Sequence, residues 1–207
     1  MTKQRVNPAV GAVLAALLMV GAAKAESITA FSLTSSPDSW VGQGRTLTLT
    51  PSDGFSFNGT AWGQAGLKVS LVNNAGPNNG TSYFYMEFIA PDGANLQIGH
   101  YADIATTPLN GSAFGLDFSS DGHGDSQISG SVDILEFSLN SDGSLKSFAA
   151  NFLQNDEADP MRWNIGEVRY NSSIALTPLP EPSSCALMLL GLSLGGLALR
   201  KSGRIPQ

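Results

Sequence analysis

Ser119-Ser120-Asp121-Gly122-His123-Gly124-Asp125 sets an imidazole between two carboxylates in a glycine-rich stretch. Carboxylate oxygens on a flexible loop are the hard donors that Ca²⁺ takes. Asp121, His123 and Asp125 are therefore the candidate metal ligands, with Ca²⁺ as the cation and no other cofactor indicated. The glycine placement differs from that of an EF-hand loop, so the plainer reading is a polar turn. Asp156, Glu157 and Asp159 form a second acidic group beside Pro160, either a solvated turn or a weak cation site. His100 follows the strand-like Leu96-Gln97-Ile98-Gly99 and reads as a sheet or surface residue. No Cys/His spacing suited to zinc is present.

Trp40 and Trp62, with Trp163 and the tyrosines, offer flat rings on which a sugar could stack, although such residues more often pack cores and edges. Serine is abundant, but no Gly-x-Ser-x-Gly elbow supplies an activated nucleophile. Paired carboxylates for glycoside cleavage depend on a separation that only the tertiary structure sets. The chemistry thus favours a protein that is not an enzyme, with a glycan-acting enzyme as the remote alternative.

These residues need elements to hold them. Between the two ends no helical periodicity runs for a useful length, whereas period-two alternation recurs between turn signals. Leu47 and Leu49 share a face; so do Leu67, Val69 and Leu71, and Phe84, Met86 and Phe88. Leu135, Phe137 and Leu139 are expected to point inward together, as are Phe148, Ala150 and Phe152, with Arg162–Tyr170 closing the sheet. Pro51-Ser52-Asp53-Gly54, Pro91-Asp92-Gly93 and Asn140-Ser141-Asp142-Gly143 carry turn chemistry, the last being the clearest hairpin signal. The expected fold is mainly β, an antiparallel β-sandwich or jelly-roll-like domain.

The ends differ from this middle. Lys3 and Arg5, an apolar run from Ala9 to Ala23 and the small residues Ala23 and Ala25 have the three-part form of a secretory signal peptide cut after Ala25. Its handlers would be the Sec translocon and signal peptidase. At the other end no charge interrupts residues 185 to 199, which as a helix reach about 22 Å against a hydrocarbon core of ~30 Å. Ser183 and Ser184 extend that run to a single transmembrane helix over about 183–199. Arg200, Lys201 and Arg204 flank it and would hold the C-terminus in the cytoplasm. Cys185 reads as a small apolar residue of that helix, and a lone cysteine forms no internal disulfide.

Charge follows the same partition. Six of the 11 basic residues lie in the end segments, leaving 5 against 17 acidic residues between positions 26 and 182, a formal charge of −12. Such a body repels nucleic acid, so no nucleic-acid partner is expected.

Pro180-Glu181-Pro182, the apolar helix and the basic tail, in this order at the C-terminus, resemble the PEP-CTERM sorting signals of Gram-negative bacteria that make extracellular polysaccharide. The resemblance covers about the last 30 residues and implies processing by an exosortase, a membrane-embedded cysteine protease or transpeptidase, with this chain as its substrate. The middle is similar to an uncharacterised domain of exported bacterial proteins. The similarity is carried by Gly42-Gln43-Gly44, Ala90-Pro91-Asp92-Gly93, Gly99 with Tyr101, Gly115-Leu116-Asp117-Phe118 with Asp121-Gly122, and Gly166-Glu167-Val168-Arg169-Tyr170-Asn171. That pattern has cysteines near positions 125 and 156, where this chain has aspartates. The expected organisation is a signal peptide over 1–25, an exported β domain over 26–176 and a sorting segment over 177–207. The expected function is a structural or adhesive role at the cell surface or in the matrix, after transient inner-membrane anchoring. A carbohydrate-binding module for extracellular polysaccharide is the alternative.

Overall fold

The computed structural model describes residues 26–75 and 81–178. The signal-peptide residues Ala23 and Ala25, the motif Pro180-Glu181-Pro182, the span 183–199 and the basic residues Arg200, Lys201 and Arg204 lie outside the described residues. Among the described residues no helix is long and apolar enough to cross a membrane. One compact unit ends at Ala175 and a second begins at Leu176, of which residues 176–178 are described.

The described chain is mainly β. Its strands are β1 (Ile28–Ser35), β2 (Thr46–Leu49), β3 (Ser56–Ala61), β4 (Gly66–Asn73), β5 (Ser82–Ile89), β6 (Gly99–Tyr101), β7 (Ile104–Thr106), β8 (Phe114–Ser120), β9 (Ser129–Leu139), β10 (Leu145–Asn155) and β11 (Trp163–Ser172). They form a six-stranded sheet in the order β2-β1-β11-β10-β9-β6 and a five-stranded sheet in the order β3-β4-β5-β8-β7. Neighbours run antiparallel apart from the parallel pair β7–β8. Two separate ladders meet face to face, the arrangement of a β-sandwich.

Phenylalanines join the sheets. Phe31, Phe148 and Phe152 come from the six-stranded sheet, and Phe84, Phe88 and Phe118 from the other. Ring centroids of Phe31 and Phe84 lie 5.3 Å apart, those of Phe88 and Phe148 4.9 Å, and those of Phe118 and Phe152 5.2 Å. All six rings are buried, and each contributes about 2–3 kcal/mol by leaving water. Gly166 makes room for this layer: a Cβ there would meet the Phe152 ring at 2.2 Å.

Alternation placed β4, β5 and β10 correctly, since Leu67, Val69, Leu71, Phe84, Met86, Phe88, Phe148, Ala150 and Phe152 are all core. In β9 the expected phase holds only for the second half. Ile134 pairs with Ala150 and Glu136 with Ala149, so Leu135 is an extra residue in a bulge. Before it Val132 and Ile134 face the core; after it Phe137 and Leu139 pack against the core. The closing segment forms β11, which lies between β1 and β10. The hairpin at Asn140–Gly143 forms as the turn chemistry requires, with Gly143 at φ 83° and its N–H donating to Asn140 O.

On the outer face of the six-stranded sheet Arg169 is 1% exposed, set between Ala30 and Ala149, whose small side chains let it lie flat. Its guanidinium donates to Ala150 O, Val168 O, Asn151 Oδ1, Glu167 Oε2 and Ala175 O. Burial pulls its pKa down and the Glu167 carboxylate opposes this. Residues 173–175 are thereby strapped across the sheet, with Ser173 N donating to Glu136 Oε2.

Candidate functional site

Three connections gather at one end of the sandwich: 36–45 between β1 and β2, 121–128 between β8 and β9, and 156–162 between β10 and β11. Register brings them together, since Ser35 pairs with Asn164, Asn164 with Gln154, and Gln154 with Gly130. Ser120, ending β8 in the opposite sheet, donates to Val41 O at 2.6 Å.

The anchor is Asp156, fully buried at the start of its connection. Its Oδ2 accepts from Ser39 Oγ (2.8 Å) and Val41 N (3.0 Å), and its Oδ1 from Asn164 Nδ2 (2.8 Å) and Gln154 Nε2 (3.2 Å). Four donors satisfy a carboxylate that would otherwise be costly to bury. Ser39 Oγ in turn accepts from Gly42 N. Only a glycine fits at position 42, because a Cβ would meet Asn164 Oδ1 at 2.1 Å.

Arg45 fastens the first connection to the opposite sheet. Its guanidinium pairs with Asp121 Oδ2 at 2.8 Å, donates to Val41 O, Gly42 O and Ser120 Oγ, and sits 5.1 Å over the Phe84 ring. The third connection is closed by Arg162, which pairs with Glu157 and Asp159. Gln43, Asp121, Glu157 and Ala158 all take positive φ, four of the five non-glycine residues to do so among the described residues. Left-handed backbone at such residues costs of order 1–3 kcal/mol each and tends to collect where a ligand is held.

Above this frame lies a cleft of about 490 Å³ lined by Asp38, Ser39, Trp40, Glu157, Asp159, Met161 and Arg162. Trp40 is 56% exposed and Met161 74%, so two apolar side chains stand in water at its rim. The Trp40 ring meets His123 nearly at right angles, centroids 4.5 Å apart, and Gln43 Nε2 donates to His123 Nε2 at 3.0 Å. The imidazole thus supports the indole, and more than half of the indole remains open. An open aromatic ring beside carboxylates and a guanidinium can stack on a ring and bond its polar edge.

The predicted metal ligands have other partners. Asp121 is held by Arg45, Tyr83 N and Ser82 Oγ; His123 by Trp40 and Gln43; Asp125 accepts from Gln127 N and Glu157 N. Among the described residues no group of three His, Cys, Asp or Glu is placed to hold a metal ion. The loop's carboxylates brace the cleft, in keeping with the plainer reading of a polar turn. Asp125 meets the third connection at the backbone N–H of Glu157.

The expected stacking face is likewise divided. Trp62, 44% exposed, follows Ala61, which pairs with Leu67 and through it with Phe88. That is the end of the sandwich away from Ser120 and His123, about 17 Å along β5. Trp40 and Trp62 therefore belong to separate surfaces. Trp163 is half-buried at the base of the site, where its carbonyl accepts from Ser36 N.

Two carboxylates do face each other, but on the outer face of the five-stranded sheet. Glu87 pairs directly with Asp117 across β5 and β8. Burial, then the Glu87 charge, pushes the Asp117 carboxyl up to about 6. Tyr85 donates to Glu87 at 3.1 Å; its hydroxyl is pushed up to about 12 by burial first and the neighbouring carboxylates second. Lys68 Nζ lies 5.2 Å over the Tyr85 ring. His100, on the six-stranded sheet, meets Asp133 at 2.7 Å as a surface pair.

Sequence reasoning missed Asp38, Met161 and Arg162 as cleft residues and Ser39 and Asn164 as its support. Polar residues at the inward positions 154 and 164 of two strands were the available signal. Comparison of the chain with protein-family models, with curated proteins and with solved structures finds no match.

Proposed function

We propose that this chain is an exported, non-catalytic surface or matrix protein that adheres through the end cleft of its β domain. In this reading residues 1–25 are removed as a signal peptide. Residues 177–207 serve as a PEP-CTERM sorting segment that anchors the domain in the inner membrane until an exosortase processes it. The observation that carries the binding role is Trp40, an exposed indole steadied by His123 over a cleft whose walls are tied to a buried carboxylate. Two of the three carboxylates lining that cleft share Arg162, which leaves only Asp38 unpaired among the described residues rather than a free acid facing a free base and favours binding over hydrolysis.

The ligand class that suits such a cleft is a saccharide, so the adhesive role and the carbohydrate-binding role meet in one site. A glycan array probed with the mature domain and with Trp40→Ala tests it. Binding that is lost in the variant supports the proposal; a silent array, or binding indifferent to Trp40, refutes it. Mass spectrometry of the mature protein tests the sorting reading, which fails if both Met1 and Gln207 persist.

A further inference from the structure

The cleft's charge says which saccharide it would take. Asp38, Glu157 and Asp159 line it against a single cation, Arg162, and that guanidinium is already engaged by Glu157 and Asp159. Asp38 is exposed and makes no ion pair among the described residues, and it lies two positions from Trp40. Beside the cleft, in the 121–128 connection, Asp125 accepts from the backbone of Glu157. The cleft therefore carries uncompensated negative charge directly beside an open indole, on a domain that is acidic throughout.

An acidic sugar would meet repulsion there, and a neutral one would leave Asp38 without a charge partner. A pyranose bearing a free amine fits both features. Its C–H face stacks on the indole, its ammonium lies near the ring face and the Asp38 carboxylate, and its hydroxyls donate to Asp159 and Glu157. Resting on the proposed adhesive role, we infer that the Trp40 cleft selects cationic amino sugars, such as glucosamine units with free amines, over their N-acetylated and acidic counterparts. The support beneath the cleft keeps the ring and the carboxylates in fixed relation, so selection falls on the ligand rather than on loop rearrangement.

Isothermal titration of the β domain with the hexamer of β-1,4-linked glucosamine, its fully N-acetylated form, cellohexaose and poly-lysine tests the inference. The amine hexamer is expected to bind best, with Trp40→Ala weakening it about tenfold and Asp38→Asn about fivefold. Asp142→Asn, which removes the same charge from the far hairpin, is expected to leave binding unchanged. Circular dichroism checks that each variant is folded. Equal, Trp40-dependent binding of the acetylated and free-amine hexamers would overturn the amine selectivity while leaving the adhesive role standing. Poly-lysine binding as tightly as the amine hexamer would reduce the cleft to a general cation surface and overturn the inference. No binding of any saccharide would overturn both readings.

Discussion

Ser39 Oγ donates to Asp156 Oδ2 at 2.8 Å across 117 residues of chain, both side chains buried. This bond, with the Val41, Gln154 and Asn164 donors to the same carboxylate, sets the distance between the two main walls of the cleft. Removing the carboxylate strands several buried donors at once. Asp156→Ala is expected to destabilise the domain by about 3 kcal/mol, and Ser39→Ala by about 1 kcal/mol, measured by urea unfolding. A loss below about 0.5 kcal/mol for Asp156→Ala would mean that the walls are held by something else.

Gly166 and Phe152 give a second test, in the core. The ring occupies the space a β-carbon at 166 would need, so Gly166→Ala forces the phenyl off its rotamer. The expected cost is about 1–3 kcal/mol. The double variant Gly166→Ala with Phe152→Leu should recover part of it, a coupling that a thermodynamic cycle measures directly.

The Glu87–Asp117 pair predicts a pH dependence whose sign can be worked out. In the folded state burial, then the Glu87 charge, pushes the Asp117 carboxyl up to about 6, above the ordinary aspartate value of about 3.9. Between those values the folded domain holds a proton that the unfolded chain has lost, so stability falls as pH rises through this window and then levels off. Asp117→Asn should therefore raise the melting temperature at pH 8 and change it little at pH 4. Equal gains at both would assign the effect to packing rather than to charge.

Arg169 predicts the behaviour of the strap. Its Nε and Nη2 donate to Ala175 O, each at 3.2 Å, and Glu167 is its carboxylate partner. Arg169→Ala removes the cation from a buried pair and is expected to cost about 3–5 kcal/mol. Arg169→Lys keeps the charge but not the fork of donors, and should stay folded while residues 173–175 become cleavable by added protease. Protection equal to the parent would show that Arg169 does not hold the strap.

How much of this was legible depended on where the information sits. Phe84, Met86 and Phe88 announce β5 because their period of two is local. Leu135 misled because a bulge shifts the phase by one residue, and a bulge is set by the partner strand. β1, β3, β6, β7 and β8 went unseen; of these β3, β6 and β7 are edge strands, which need few apolar residues, and β6 and β7 are three residues long. Trp40 and His123 each stood out as single residues, yet 83 positions separate them, and only the meeting of the β1–β2 and β8–β9 connections joins them. Asp156 looked like surface charge because nothing local says that Gln154 and Asn164 pair beneath it.

Trp40 is the residue on which the adhesive reading turns, and the chain has three tryptophans whose indole N–H resonances can be told apart. A ¹H–¹⁵N titration of the β domain with amino-sugar and neutral hexasaccharides follows all three at once. The account predicts that the Trp40 indole signal moves saturably while that of Trp62 stays in place. Movement confined to Trp62, or no movement at saccharide concentrations into the millimolar range, would contradict it.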